Sequence, residues 1–85
     1  VNTILSEAVA RHASDIHLEP EKNGLRVRYR IDGLMQEALH PPESMREHIL
    51  SRIKVMAGMD ISKRHAPQDG NLSVTFGGEP IDIRI

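Results

Sequence analysis

The stretch that decides the fold is LRVRYRIDG, from Leu25 to Gly33, in which apolar and basic residues alternate. Successive side chains on a β-strand point to opposite faces, so the alternation predicts a strand with one apolar and one basic face. The apolar side chains are expected to face a core. The other face carries the set that we call the arginine row: Arg26, Arg28 and Arg30.

The arginine row needs an anion, because three like charges side by side repel one another. A guanidinium is always protonated, and its planar fork of donors suits a carboxylate or a phosphate. One interpretation pairs the row with Asp15 or Glu19, which stand on a short neighbouring strand pattern. The other brings a phosphate from a partner. The residues alone leave both open and slightly favour internal pairing.

Composition restricts the possible functions. The chain has 85 residues and a formal net charge of −1, which predicts one small domain and argues against a general nucleic-acid or membrane-surface binder. A single Tyr and a single Phe leave no platform for stacking bases. The absence of cysteine excludes disulfides, thiolate metal sites and cysteine nucleophiles.

On the N-terminal side of the arginine row, helical spacing of apolar residues predicts an amphipathic helix over residues 3–13. Alternation then predicts a strand from Asp15 to Glu19. The segment Pro20–Gly24 predicts a turn, in which Asn23 and Gly24 tolerate positive φ.

On the C-terminal side, Asp32-Gly33 predicts a tight hairpin into a returning strand, Leu34–Leu39. The prolines Pro41 and Pro42 end that strand and precede a helix whose apolar stripe runs from Met45 to Met56. The remaining predictions are a helix end at Gly58, a helical turn within Met59–Ala66, a turn at Pro67–Gly70, and two strands joined by Gly77-Gly78.

The predicted order is α-β-β-β-α-β-β over residues 1–85. Such an order predicts an α/β two-layer domain, in which helices pack against a mostly antiparallel sheet. Neither GxxxxGK[ST] nor GxGxxG occurs, so the chain has no phosphate-cradling loop of its own. Its five histidines lack the spacing of metal ligands, so we expect no metal site.

Five ordered strings together resemble one family, the secretion ATPases, which include the type II secretion E protein and the type IV pilus assembly ATPase. The strings are ASDIHLEP (13–20), RYRIDG (28–33), SRIKVMAGMDI (51–61), PQDG (67–70) and DIRI (82–85). The resemblance implies the second N-terminal domain, a PAS-like module directly before a RecA-like ATPase domain. Both ends of the chain accordingly look cut from a longer protein.

The resemblance also implies a function for the arginine row. In this family the domain packs over the nucleotide site of the ATPase domain of the same or a neighbouring subunit and contributes arginines to the phosphates. Matched by motif, Arg28 and Arg30 are the best candidates; Arg46 is weaker, because the loop before it varies in length. Asn71 departs from the family, which usually has Arg there, and no role can be assigned to His65.

For the parent protein, the resemblance implies a cytoplasmic homohexamer that binds ATP and Mg and acts on inner-membrane platform proteins, without nucleic acid as a partner. The part represented by this chain lacks Walker A, so we expect it to be inactive and to bind no cofactor alone. The shared motifs do not separate secretion, pilus assembly and DNA uptake. The alternative function is a purely structural subunit-interaction module, in which carboxylates engage the arginine row.

Overall fold

A computed structural model describes residues 2–57 and 71–85 of the chain. The sequence predictions for Gly58, Met59–Ala66 and Pro67–Gly70 lie outside these residues. The described elements are α1 (Asn2–Ala10), β1 (Asp15–Glu21), β2 (Gly24–Ile31), β3 (Leu34–Leu39), α2 (Glu43–Ala57), β4 (Asn71–Phe76) and β5 (Glu79–Arg84).

The strands form a five-stranded sheet in the order β3-β2-β1-β5-β4. Strands β1 and β5 pair in parallel at Asp15–His17, and the other neighbours pair antiparallel. The predicted element order and the two-layer α/β class are therefore confirmed. Strand β5 therefore lies inside the sheet, between β4 and the central strand β1.

Both helices pack on one face of the sheet, α2 against β2 and β4 and α1 against β5. Burying a large apolar side chain contributes about 1.5–3 kcal/mol, so this layer supplies most of the stability. Tyr29 is fully buried in it, and its hydroxyl donates a hydrogen bond of 2.7 Å to the carbonyl of Ile4. The core comprises Ile4, Leu5, Ala8, Ile16, Leu18, Leu25, Val27, Tyr29, Ile49, Leu50, Ile53, Val74, Ile81 and Ile83.

Helix α1 ends earlier than the predicted range of residues 3–13. His12 adopts a left-handed conformation with φ of 57°. The amide of His12 then donates to the carbonyl of Val9 at 3.1 Å, and that of Ala13 donates to Ala8 at 2.9 Å. These two bonds form a Schellman motif, which satisfies the last carbonyls of a helix and turns the chain away. The prediction was too long because a histidine occupies the position where glycine is usual.

The β1–β2 connection is tighter than predicted. Strand β1 continues through Pro20 to Glu21, and β2 begins at Gly24, which leaves two residues between the strands. The turn forms without the positive φ that Asn23 and Gly24 would tolerate, since neither residue is left-handed. Gly24 instead permits a close approach, because a Cβ there would collide with the carbonyl oxygen of Pro41.

The two glycine hairpins are confirmed. Asp32 and Gly33 have φ of 53° and 82°, and Gly77 and Gly78 have φ of 60° and 83°. Two successive left-handed residues form the type I′ turn, whose twist matches that of the strands it joins. These turns set the strand registers and so decide which side chains become neighbours.

Candidate functional site

The sheet face opposite the helices is polar, and we call it the charged face. In register, Asp15 lies opposite Arg30, His17 opposite Arg28, and Glu19 opposite Arg26. Within residues 2–57 and 71–85, no helix covers this face. Its charged and ionisable members on β1, β2, β3 and β5 are Asp15, His17, Glu19, Glu21, Arg26, Arg28, Arg30, Glu37, Asp82 and Arg84.

Arg26 is the most firmly paired member of the row. Its Nη2 lies 2.6 Å from Glu37 Oε2, and its Nε lies 3.1 Å from both carboxylate oxygens of Glu37. Glu37 lies opposite Arg28 in the β2–β3 ladder, so Arg26 reaches it diagonally across the two strands. The hydrogen bonds with Arg26 lower the pKa of Glu37, and Glu37 in turn raises the pKa of Arg26.

Arg28 is paired much more loosely. Its Nη2 lies 3.4 Å from Glu19 Oε1, a long contact to a carboxylate that also lies 3.7 Å from Arg26. The Nε of Arg28 is buried and has no hydrogen-bond partner among the residues that the structure describes. A buried N–H without a partner carries a desolvation penalty, so the contacts within the described residues do not fully satisfy Arg28.

Arg30 has one carboxylate contact and one weak bond to the main chain. Its Nε lies 3.4 Å from Asp15 Oδ1, and its Nη1 lies 3.5 Å from the carbonyl oxygen of Gly33. The side chain is 39% exposed. Neither contact is bidentate, so much of the hydrogen-bonding capacity of the Arg30 guanidinium faces outward.

Asp15 is the buried centre of the charged face, with 7% of its surface exposed. Its carboxylate accepts a bond of 2.8 Å from the Ser14 hydroxyl and lies 2.5 Å from His17 Nε2. Arg84 Nε lies 3.8 Å away. Burial raises the pKa of Asp15, but the bonds from Ser14 and His17 and the charges of His17 and Arg30 outweigh it and lower the pKa. The carboxylate is thus held ionised.

Arg46, the third predicted candidate, lies on α2 and contacts a different part of the molecule. Its Nη1 donates to the main-chain carbonyls of Glu21 and of Lys22, the latter at 3.1 Å. Its Nε lies 3.2 Å from Glu47. Because α2 packs on the helix-covered face, the structure places Arg46 apart from the arginine row. Its predicted phosphate contact stays a prediction.

Two members of the charged face were missed from the sequence. Glu37 was not recognised as a partner of Arg26, because the contact runs diagonally between two strands whose pairing the sequence alone does not give. Arg84 was quoted only as part of a motif. Its alternation with Ile83 places it on a polar face, and this pattern was a usable signal. Its position beside His17 follows from the parallel β1–β5 pairing.

Comparison with known proteins identifies the family. The family described as "Type II/IV secretion system protein" matches residues 1–85. The chain is 49% identical to the type IV pilus assembly ATPase PilB of Myxococcus xanthus, over the whole chain and 15% of that protein. It is 47% identical to the type II secretion system protein E of Pseudomonas aeruginosa, again over the whole chain and over 17% of that protein.

A third relative, the type II secretion system ATPase E of Vibrio cholerae, is 41% identical over the whole chain and 17% of its own length. The chain therefore spans 15–17% of the length of these curated relatives. No helix in the described ranges is long and apolar enough to cross a membrane. Full-length matching of the chain at 41–49% identity confirms the resemblance seen in its motifs. The chain belongs to the type II/IV secretion system protein family.

Proposed function

We propose that this chain is the regulatory and coupling domain of a hexameric ATPase that drives type II secretion or pilus assembly. The relatives named as ATPases are about six times longer than the matched segment, since the chain covers 15–17% of them. In this proposal, ATP and Mg bind to an adjacent RecA-like domain of the parent protein, as the family resemblance implies. The parent would act in the cytoplasm on platform proteins of the inner membrane.

The observation that carries the proposal is the unequal pairing of the arginine row. Arg26 is held by Glu37 through contacts as short as 2.6 Å, whereas Arg28 and Arg30 each have a single carboxylate contact at 3.4 Å. The two loosely paired arginines are those that belong to the RYRIDG motif. They are accordingly the side chains best able to exchange a carboxylate for a phosphate.

Closure of the domain over bound ATP would bring Arg28 and Arg30 to the reacting phosphates. In phosphoryl transfer, charge spreads over the oxygens of the transferred group, and an arginine delivered in trans stabilises it, which raises rates roughly 10³–10⁵-fold. Arg28 and Arg30 would supply such charge when the charged face closes over bound ATP. Arg46 is the third candidate, and it would first have to leave the carbonyls of Glu21 and Lys22.

The test measures ATP turnover of the full-length parent protein. Arg28→Ala and Arg30→Ala should each lower kcat at least about tenfold, because each removes a charge-assisted contact to the transition state. Arg26→Ala is the matched control. It removes an arginine from the same face of the same strand, but one whose guanidinium is already bound to Glu37. Wild-type turnover in both Arg28→Ala and Arg30→Ala would overturn the proposal.

A second candidate function is a structural module that only holds subunits together. It is favoured by the fact that each arginine of the row has a carboxylate within 4 Å: Glu37 for Arg26, Glu19 for Arg28 and Asp15 for Arg30. Under this function, Arg30→Ala would change the sedimentation of the parent assembly. Turnover per assembled hexamer would stay at the wild-type value.

A further inference from the structure

We propose that Asp15 is a positioning residue, which orients the guanidinium of Arg30 before the charged face closes over ATP. The inference rests on the proposed function, in which Arg30 contacts the phosphates, and it adds a residue that touches no phosphate itself. Asp15 is the first residue of β1 and lies directly opposite Arg30 in the β1–β2 ladder. It belongs to the short segment Ser14–His17, which we call the SDIH segment.

Burial sets Asp15 apart from the carboxylates that serve the other two arginines of the row. Of the charged side chains within residues 2–57 and 71–85, only Asp15 is buried. The side chains of Glu19 and Glu37 are 51% and 47% exposed. A short, buried side chain has few rotamers to exchange, so a guanidinium bound to it is held in one direction. Arg30 is therefore the arginine of the row with a fixed carboxylate partner.

The two carboxylate oxygens of Asp15 divide their partners in the same way. Oδ1 accepts a bond of 2.8 Å from the Ser14 hydroxyl and lies 3.4 Å from Nε of Arg30. Oδ2 lies 2.5 Å from Nε2 of His17 and 3.8 Å from Nε of Arg84. Each oxygen thus has one short contact within the SDIH segment and one longer contact to an arginine of an adjacent strand. The short contacts fix the carboxylate, and the fixed carboxylate then orients the guanidinium.

The SDIH segment also holds the main chain of Arg30. The amide of Ser14 donates a bond of 2.9 Å to the carbonyl oxygen of Arg30, and the Ser14 hydroxyl lies 3.3 Å from the same oxygen. The backbone and the guanidinium of Arg30 are therefore anchored by two successive residues, Ser14 and Asp15.

The position of the contact on the guanidinium suits a group that must meet an anion. Asp15 approaches Arg30 at Nε, the guanidinium nitrogen closest to the backbone. Contact at Nε restricts rotation of the planar group, while the two terminal nitrogens lie further from the strand. A donor that is already oriented needs no reorganisation when charge develops on the transferred phosphoryl group.

ATP turnover of the full-length parent protein tests the positioning role. Asp15→Asn keeps the size of the side chain but removes its charge. It should lower kcat about threefold to tenfold and change KM for ATP by less than about twofold, because a misoriented arginine is felt mainly in the transition state. Asp82→Asn is the matched control and should keep wild-type turnover, since Asp82 lies opposite Asp15 in the β1–β5 pairing but is exposed.

A double-mutant cycle separates positioning from a merely structural role. Added to Arg30→Ala, Asp15→Asn should change kcat by less than about twofold, because the group that it orients is already gone. An equal loss of kcat in the presence and absence of Arg30 would assign Asp15 to the fold alone and overturn the inference. Melting temperatures verify that each variant is folded.

Ser14→Ala is a milder variant that leaves the charge of Asp15 in place, so it tests the same role if Asp15→Asn fails to fold. It removes one short bond to the carboxylate and should lower kcat about twofold to threefold, again only when Arg30 is present. Wild-type turnover in every folded variant of Ser14 and Asp15 would overturn the positioning role.

The same measurements separate this inference from the proposed function. If Arg30→Ala lowers turnover while Asp15→Asn and Ser14→Ala do not, the contact of Arg30 with phosphate stands and the positioning role is overturned. If Arg30→Ala itself keeps wild-type turnover, the proposed contact of Arg30 is overturned, and the positioning role is overturned with it.

Discussion

The two faces of the sheet are built from alternate residues of the same strands, yet they differ in what their side chains contribute. The helix-covered face is a continuous apolar core in which Leu5, Ile16, Val27, Tyr29 and Ile83 have no exposed surface. The charged face consists of ion pairs that are largely open to solvent, and such pairs contribute only about 0.2–1 kcal/mol each. Stability therefore comes mainly from one side of the sheet, and the proposed phosphate contacts lie on the other.

This separation explains how the domain can carry unequally paired arginines. A loosely paired guanidinium on a partly exposed face costs little, because water and nearby carboxylates screen its charge. The same group in the core would require full compensation. The charged face can therefore carry incompletely paired arginines, while the helices and the apolar face maintain the fold.

The sharpest test of the comparison uses two adjacent residues of β5. Ile83→Ala should lower the free energy of unfolding by about 2–5 kcal/mol, since it leaves a cavity in the core. Arg84→Ala, one residue later and on the other face, should cost less than about 1 kcal/mol. Urea unfolding measures both. Equal losses would show that the two faces do not divide stability as described.

A second prediction concerns the rim of the sheet, where β2 begins. Gly24→Ala should lower the free energy of unfolding by about 1–3 kcal/mol, because its Cβ would collide with the main-chain carbonyl of Pro41. Thermal unfolding measures the change. Asn23→Ala, the adjacent turn residue with an exposed side chain, is the control and should unfold close to the wild type. A fully stable Gly24→Ala chain would contradict the close approach.

A third prediction tests the Tyr29 hydroxyl, a polar group inside the apolar core. Tyr29→Phe should cost about 1 kcal/mol, because it removes the hydrogen bond to the carbonyl of Ile4. Burial, with a smaller contribution from Glu7, raises the pKa of Tyr29 from 10.0 to about 12. Because the folded pKa is the higher one, this stability is complete below pH 10 and is lost as the pH rises towards 12.

The alkaline loss is measurable on this residue alone. Tyr29 is the single tyrosine of the chain, so phenolate absorbance reports its ionisation without overlap. Denaturant titrations between pH 9 and 12 should show wild-type stability falling more steeply than that of Tyr29→Phe. Phenolate appearing near pH 10 in the folded chain would contradict the buried position.

The smallest expected effect lies on the charged face and is pH-dependent. The pKa of Asp15 lies below its ordinary value of 3.8, so the unfolded chain binds the proton more tightly. The contribution of Asp15 is therefore present above pH 3.8 and is lost as the pH falls through the lower folded pKa. Asp15→Asn should therefore make the free energy of unfolding fall less steeply as the pH becomes acidic, a region that we call the acid limb.

Acid-induced unfolding followed by circular dichroism measures this limb. Asp82→Asn is the matched control, because Asp82 lies opposite Asp15 in the β1–β5 pairing but is exposed. An acid limb that is as steep in Asp15→Asn as in the wild type would show that the contacts with Ser14 and His17 do not stabilise the carboxylate. Asp15, although buried in the charged face, would then not stabilise the fold through these contacts.

The sequence by itself determined the alternation that separates the two faces. Periodicity between apolar and polar residues is a local property, and so is the glycine chemistry of Asp32-Gly33 and Gly77-Gly78. The element order and the two-layer class followed from these local signals. The misplaced end of α1 has a local cause too, since His12 takes a left-handed conformation that glycine usually marks.

Only the tertiary structure decided which partner each arginine receives. Arg26 reaches Glu37 diagonally across the β2–β3 ladder, and Arg84 lies opposite His17 because β5 pairs with β1 in parallel. Strand pairing joins residues far apart in the chain, and its register depends on packing of the whole apolar layer. The arginine row could therefore be predicted from the sequence, whereas the unequal pairing along it required the assembled sheet.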